Sequence, residues 1–115
     1  MGRETGRQRW EERQVAIVGE LHRRGVTIVP GTDNIAGYTY HRELELYVKS
    51  GIPANEVLQL ATIGAARVAG VDAKLGSVEV GKVADLVLVE GDVNGDVTKL
   101  RGVAFVMKDG LVIEN

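Results

Sequence analysis

The 115-residue chain is 44% apolar and 26% charged, with a formal net charge of −2 and a pI near 5.7, ordinary values for one globular domain. That balance leaves no basic footprint for nucleic acid or an anionic membrane, and no apolar run approaches a membrane-spanning length. The absence of cysteine excludes disulfides and thiolate metal sites, and no signal-peptide core follows the charged Met1–Arg9 stretch, so a cytoplasmic location is expected.

Glycine is abundant, at 15 residues, and falls mostly between short apolar runs, where it punctuates turns. Aromatic residues make up only 4%, so a core must be built from Val, Leu, Ile and Ala. Trp10, Gln14, Ile17, Val18 and Leu21 recur at three- and four-residue spacing, which predicts an amphipathic helix over Gln8–Arg24 that stops before Gly25. Val26-Thr27-Ile28-Val29 is β-branched throughout and lacks polar alternation, as expected of a strand covered on both faces in a parallel sheet.

Gly31-Thr32-Asp33-Asn34 opens a loop through Gly37. A second helix is predicted over Arg42–Ser50, with Leu44, Tyr47 and Val48 on one side and Gly51 closing it. A third follows Pro53, with Val57, Leu58 and Ala61 on its apolar face. Thr62 is expected to cap a short fourth helix, Ile63–Ala69, with Gly70 past its end. After Asp72 the grammar becomes β-type. Ser77–Val80 and Ala84–Val89 read as short strands joined around Gly81-Lys82, and Val103–Lys108 and Leu111–Ile113 as a hairpin turning at Asp109-Gly110.

Several strings then fall into a familiar order. Gly31-Thr32-Asp33, His41-x-Glu43-Leu44 and Gly51-Ile52-Pro53-x-x-Glu56-Val57-Leu58 are followed by Ala61-Thr62-x-x-Ala65-Ala66-Arg67. Leu75-Gly76-Ser77-Val78-Glu79-x-Gly81-Lys82-x-Ala84-Asp85-Leu86-Val87 and Val106-x-Lys108-x-Gly110 complete the series. Together they resemble the closing stretch of the metal-dependent amidohydrolase superfamily, in the branch of imidazolonepropionase-like, Xaa-Pro dipeptidase-like and aryldialkylphosphatase-related hydrolases. The resemblance runs from about Leu21 to the C-terminus; any one motif is weak, but the whole series in register is specific.

The resemblance implies an α/β fold: the C-terminal fragment of a (β/α)8 barrel, with its last strand and helices, followed by the C-terminal strands of a composite β-sandwich. Residues 1–74 would then end the barrel, with Val26–Pro30 as its eighth strand, and residues 75–115 would form a small antiparallel β unit. The opening Met1-Gly2-Arg3-Glu4 does not resemble a barrel start, which suggests a truncated or recombined gene or a fragment.

Asp33 is the foremost candidate for chemistry, because it lies just past the C-terminal end of a buried strand, where barrel enzymes place their sites. The matching family aspartate binds metal or accepts a proton from metal-bound water, a role open to Asp33 only in a complete barrel. From the residues alone, an aspartate fixing its own loop as an Asx turn is the favoured reading, and the resemblance reverses that order for the parent enzyme. His41 is similar to a histidine facing the substrate cleft, although a histidine opening a helix also serves as a cap or surface residue. His22 matches no functional position and is expected to be solvated. Tyr38 and Tyr40 could line a cleft or cover the core. Gly81-Lys82-x-Ala84-Asp85 is read as structural, with Asp85 tying loop amides.

A hydrolytic zinc site takes about three protein ligands plus water. The chain has two histidines and no His-x-His pair, so the isolated chain is expected to hold no cofactor and to hydrolyse nothing, whereas the parent family would use zinc or another divalent metal. The leading reading is therefore the C-terminal part of a metal-dependent amidohydrolase acting on C–N bonds (non-peptide or dipeptide amides). The alternative is a non-catalytic remnant that acts as a self-associating or partner-binding module. In either case a homo-oligomer or a complementary chain is expected, since an unpaired strand and uncovered apolar faces invite association. Light scattering on the eluting chain should give at least a dimer mass; a compact monomer would count against association.

Overall fold

The computed structural model describes residues 5–32 and 37–113, the side chains of Gly37 and Tyr38 excepted; Asp33 lies outside the described residues. The architecture is mixed α/β, with helices in the first part of the chain and a three-stranded antiparallel sheet in the second. Among the described residues no helix is long and apolar enough to cross a membrane.

Helix α1 spans Gly6–Arg23. It starts two residues earlier than the apolar spacing predicts, because Thr5 and Gln8 form a capping box that satisfies free amides of the first turn. Helix α2 spans Gly37–Lys49 and α3 spans Ala54–Gln59. Helices α1 and α2 end in the same motif. A glycine of positive φ (Gly25, Gly51) donates three residues back, and the next residue donates five back, from Val26 to Leu21 and from Ile52 to Tyr47.

Thr62 does not cap a separate helix. Helix α3 runs through a π-type turn, Leu60–Gly64, straight into α4, Ala65–Ala69, and the Thr62 hydroxyl donates back to the Leu58 carbonyl at 2.6 Å. That bond satisfies the hydroxyl inside the helix, so no cap is needed. Gly70 ends α4 in the left-handed conformation, as its position predicts.

Strands β1 (Leu86–Val89), β2 (Val103–Lys108) and β3 (Leu111–Ile113) pair in the order β1-β2-β3. Register pairs Leu86 with Met107 and Lys108 with Leu111. The hairpin turns at Asp109-Gly110 with φ of 51° and 78°, the conformation that a two-residue loop between twisted strands requires. Asp85 clasps this hairpin, accepting from the Asp109 amide at 2.9 Å and from Lys108 Nζ at 3.0 Å, which bears out its structural reading.

Two expected strands are not formed. Val26–Pro30 has no ladder partner among the described residues, and a strand exists only through its partners. Ser77–Val80 is a loop with Val78 and Val80 fully exposed; it is pinned instead by Lys82, whose Nζ donates to Ser77 Oγ at 2.6 Å and pairs with Glu79 at 3.0 Å. Just before it, the chain crosses the helices at Gly76, where a Cβ would stand 2.7 Å from that of Ala66, so only glycine permits the approach. A 3₁₀ turn that the sequence did not announce, Val97–Arg101, buries Val97 in the helical core.

That core is small. Leu44, Tyr47, Ile52, Val57 and Val97 form one buried cluster, with Val18, Ile28 and Leu60 packed at its edge. Helix α1 reaches it by lying directly on the end of α2 at Gly19, where a Cβ would meet the Ser50 carbonyl at 2.6 Å. Apart from Val18, the apolar residues of the predicted stripe of α1 are left exposed, with Trp10 at 62% and Ile17 at 52%. The radius of gyration is 15.7 Å, against roughly 13 Å for a compact domain of this length. The accessible surface of 8352 Å² exceeds by about 2,200 Å² what a monomer of this mass normally shows.

Ile52 is 1% exposed, so Ile52→Ala should cost roughly 2–5 kcal/mol of unfolding free energy, read by denaturant titration. The Asp85 carboxyl is held below its ordinary range, first by the Asp109 amide and then by Lys108. A depressed carboxyl stabilises the fold above its unfolded-state value, and that contribution is lost as pH falls through the lower folded-state value. Melting temperatures from neutral to acid pH should therefore decline less steeply in Asp85→Ala than in the parent chain.

Candidate functional site

The chain leaves α1 at Gly25 and runs through Val26–Thr32 along the side of α2. Its hold on that helix is made by side chains. Ile28 packs on the core cluster and Pro30 is buried. The Tyr47 hydroxyl donates to the Val29 carbonyl at 3.1 Å, and the hydroxyls of Thr32 and Thr39 lie 3.2 Å apart.

Tyr40, Glu43 and Tyr47 fall at i, i+3 and i+7 and so share one face of α2. Burial pushes the Glu43 carboxyl above its ordinary range, and the Gly31 amide beside it pulls in the opposite direction. Tyr40 and Tyr47 are likewise pushed up, first by burial and then by the negative charge of Glu43. A half-buried carboxylate thus stands among two phenols beside the segment that leads to Asp33. Glu43 also opens on a groove of about 250 Å³ between α1 and α2, lined by Trp10, Val15, Val18 and Tyr47.

His41 takes a different direction. With Leu44 it lines an open cavity of about 350 Å³ between the helices and the sheet, whose walls include Leu58, Ala61, Val87 and Val106. Its Nδ1 is buried without a hydrogen-bond partner among the described residues, in surroundings that are almost wholly apolar. Tyr40 lines the same cavity. His22 is not simply solvated: its Nε2 lies 2.7 Å from Glu56 Oε1 and ties α1 to α3.

Among the described residues no three His, Cys, Asp or Glu side chains converge to hold a metal ion. The residues present therefore do not fit a complete metal centre, and no chemical step is derived through one. The structure brings together Glu43, Tyr40 and Tyr47 beside the Val26–Thr32 segment, a cluster that sequence reasoning missed. Its signal was present, since Glu43 sits inside His41-x-Glu43-Leu44 and Tyr47 lies one helical turn further on, but buried positions on a helix read first as core.

Comparison with known proteins follows this geometry. The sequence model described as the amidohydrolase family matches residues 8–113. The chain is 32% identical over 91 residues to a 5-methylthioadenosine/S-adenosylhomocysteine deaminase of Syntrophobacter fumaroxidans, covering 66% of this chain and 20% of the relative. The same kind of enzyme from Moorella thermoacetica is 34% identical over 88 residues, covering 66% and 21%. Among solved structures, a Xaa-Pro dipeptidase with bound methionine in its active site superposes with a TM-score of 0.82 and 36% identity, over 88% of this chain and 25% of that one. Phenylurea hydrolase B gives a TM-score of 0.78 and 25% identity over 84% and 26%. The chain thus spans about a fifth of the length of the curated relatives it matches.

Proposed function

Because this chain belongs to the amidohydrolase family, we propose that it is the C-terminal share of a metal-dependent hydrolase acting on C–N bonds, completed by polypeptide outside these 115 residues. The observation that carries this reading is the surplus of surface. About 2,200 Å² more is exposed than a monomer of this mass normally shows, which exceeds the ~800 Å² that each partner buries in a standard interface. The excess includes apolar side chains of both parts of the chain, Trp10, Ile17 and Val26 in the helical part and Val87, Leu88 and Val112 in the sheet. In this reading Val26–Pro30 is the last barrel strand awaiting its neighbours, and β1–β3 are part of a sandwich awaiting its other strands.

Asp33 is the residue we assign to chemistry in the completed body, as a metal ligand and as the carboxylate that takes a proton from the attacking water. A carboxylate ionised at neutral pH suits both roles. Deaminases and dipeptidases among the relatives both replace a C–N bond with C–O, which supports the bond type without choosing the substrate. With two histidines and no His-x-His, the chain alone supplies too few ligands for a hydrolytic centre, so by itself it is assigned no turnover.

Exchange of the matching quarter of the Xaa-Pro dipeptidase for residues 8–113 of this chain tests the assignment. The grafted enzyme should fold, retain its metal and cleave a Xaa-Pro dipeptide, while the 115-residue chain alone should show no turnover. Asp33→Asn in the graft should lower kcat by about 10²–10⁴-fold with the fold intact by circular dichroism. An active graft indifferent to Asp33→Asn would sink the assignment.

A further inference from the structure

We infer that the cavity at His41 is a socket for one apolar side chain, of leucine size, supplied by the polypeptide that completes the body. The inference rests on the reading of this chain as one share of a larger protein. The walls come from three directions. His41 and Leu44 stand one helical turn apart on α2, and Leu58 and Ala61 have the same spacing where α3 enters the π-type turn. Val87 and Val106 are opposite one another on the β1–β2 ladder and share its cavity face. The space between them is about 350 Å³ and open to the outside.

Two observations say what fits. The lining is mostly apolar, and a cavity of roughly 150 Å³ walled in that way stays dry and accepts a molecule the size of benzene. A bound water needs about two to four polar partners, and the Thr62 hydroxyl at this cavity already donates to the Leu58 carbonyl. Yet His41 Nδ1 is buried without a hydrogen-bond partner among the described residues, and such an atom is costly until something meets it. An apolar side chain on an extended backbone answers both demands. Its backbone brings an amide and a carbonyl next to the side chain, and one of the two pairs with either imidazole tautomer. Val87, 59% exposed, joins the socket to the uncovered part of the sheet, so the occupant belongs to the polypeptide that covers that sheet.

N-acetyl-leucine amide carries such a side chain between two amide groups and serves as the probe. Titrated into the 115-residue chain, it should shift the NMR signals of the His41 ring and of the Val87 and Val106 methyls, with a Kd of about 1–10 mM. N-acetyl-glycine amide, which lacks the side chain, should leave those signals in place. His41→Leu should weaken the leucine amide about 2–10-fold, with the fold intact by circular dichroism. Ala61→Phe fills the socket from within and should abolish that binding. In the grafted enzyme it should cut the yield of folded, active protein about tenfold, while the isolated chain keeps its melting temperature. An equal response to the two amides, or a graft that tolerates Ala61→Phe, would overturn the inference. So would a dimer of the isolated chain that Ala61→Phe turns into a monomer, since a second copy would then be the occupant. A graft indifferent to Asp33→Asn marks failure of the functional assignment, and the two amides still decide the socket by themselves.

Discussion

Helix α2 is packed on more than one side at once, and the rest of the molecule depends on that double burial. Leu44 faces the layer that includes Val57 and Val97, while Tyr47 reaches the segment that follows α1. Charged contacts extend the same helix outward, with Arg42 on Glu11 of α1 at 3.2 Å and Glu45 on Arg101 of the 3₁₀ turn at 2.8 Å. These exposed pairs add little energy singly; the hydrophobic cluster between them decides whether the elements stay together. Without α2 the first helix, the Val26–Thr32 segment and the turn at Val97 would have no common surface.

The fold was legible wherever the information is local. Helix positions followed from apolar spacing, and the β2–β3 hairpin from Asp109-Gly110, because each depends on residues within a few positions of one another. The failures share a different cause. Val26–Pro30 and Ser77–Val80 have the composition of strands, but a ladder needs a second chain segment, and none is supplied among the described residues. The Val97 turn is invisible to periodicity because a single buried valine between polar residues, Asp96 and Thr98, has no pattern. Gly19, a lone glycine inside a helical stretch, did carry a readable message, that another backbone passes close by.

The site was legible only by analogy. Asp33 was named from a resemblance and lies outside the described residues. The Tyr40–Glu43–Tyr47 face was written in the sequence at helical spacing, yet its meaning depends on what lies opposite, which no spacing reveals. His41 shows the converse. The resemblance implied a cleft-facing role, and the fold sets it over an apolar cavity beside the sheet, with one ring nitrogen buried and without a hydrogen-bond partner among the described residues. Such a nitrogen is costly unless something outside the described residues meets it.

The π-type turn between α3 and α4 has a geometric consequence for the whole assembly. Each residue in an α-helix advances the side-chain direction by about 100°, so one surplus residue in Leu60–Gly64 rotates everything beyond it by that amount. This rotation presents Ala66 to the crossing chain at Gly76. A regular helix of the same sequence would turn Ala66 aside from the crossing point. The π-type turn therefore absorbs one surplus position, and a one-residue deletion there would restore a regular helix while keeping Ala66 directed at the crossing by Gly76.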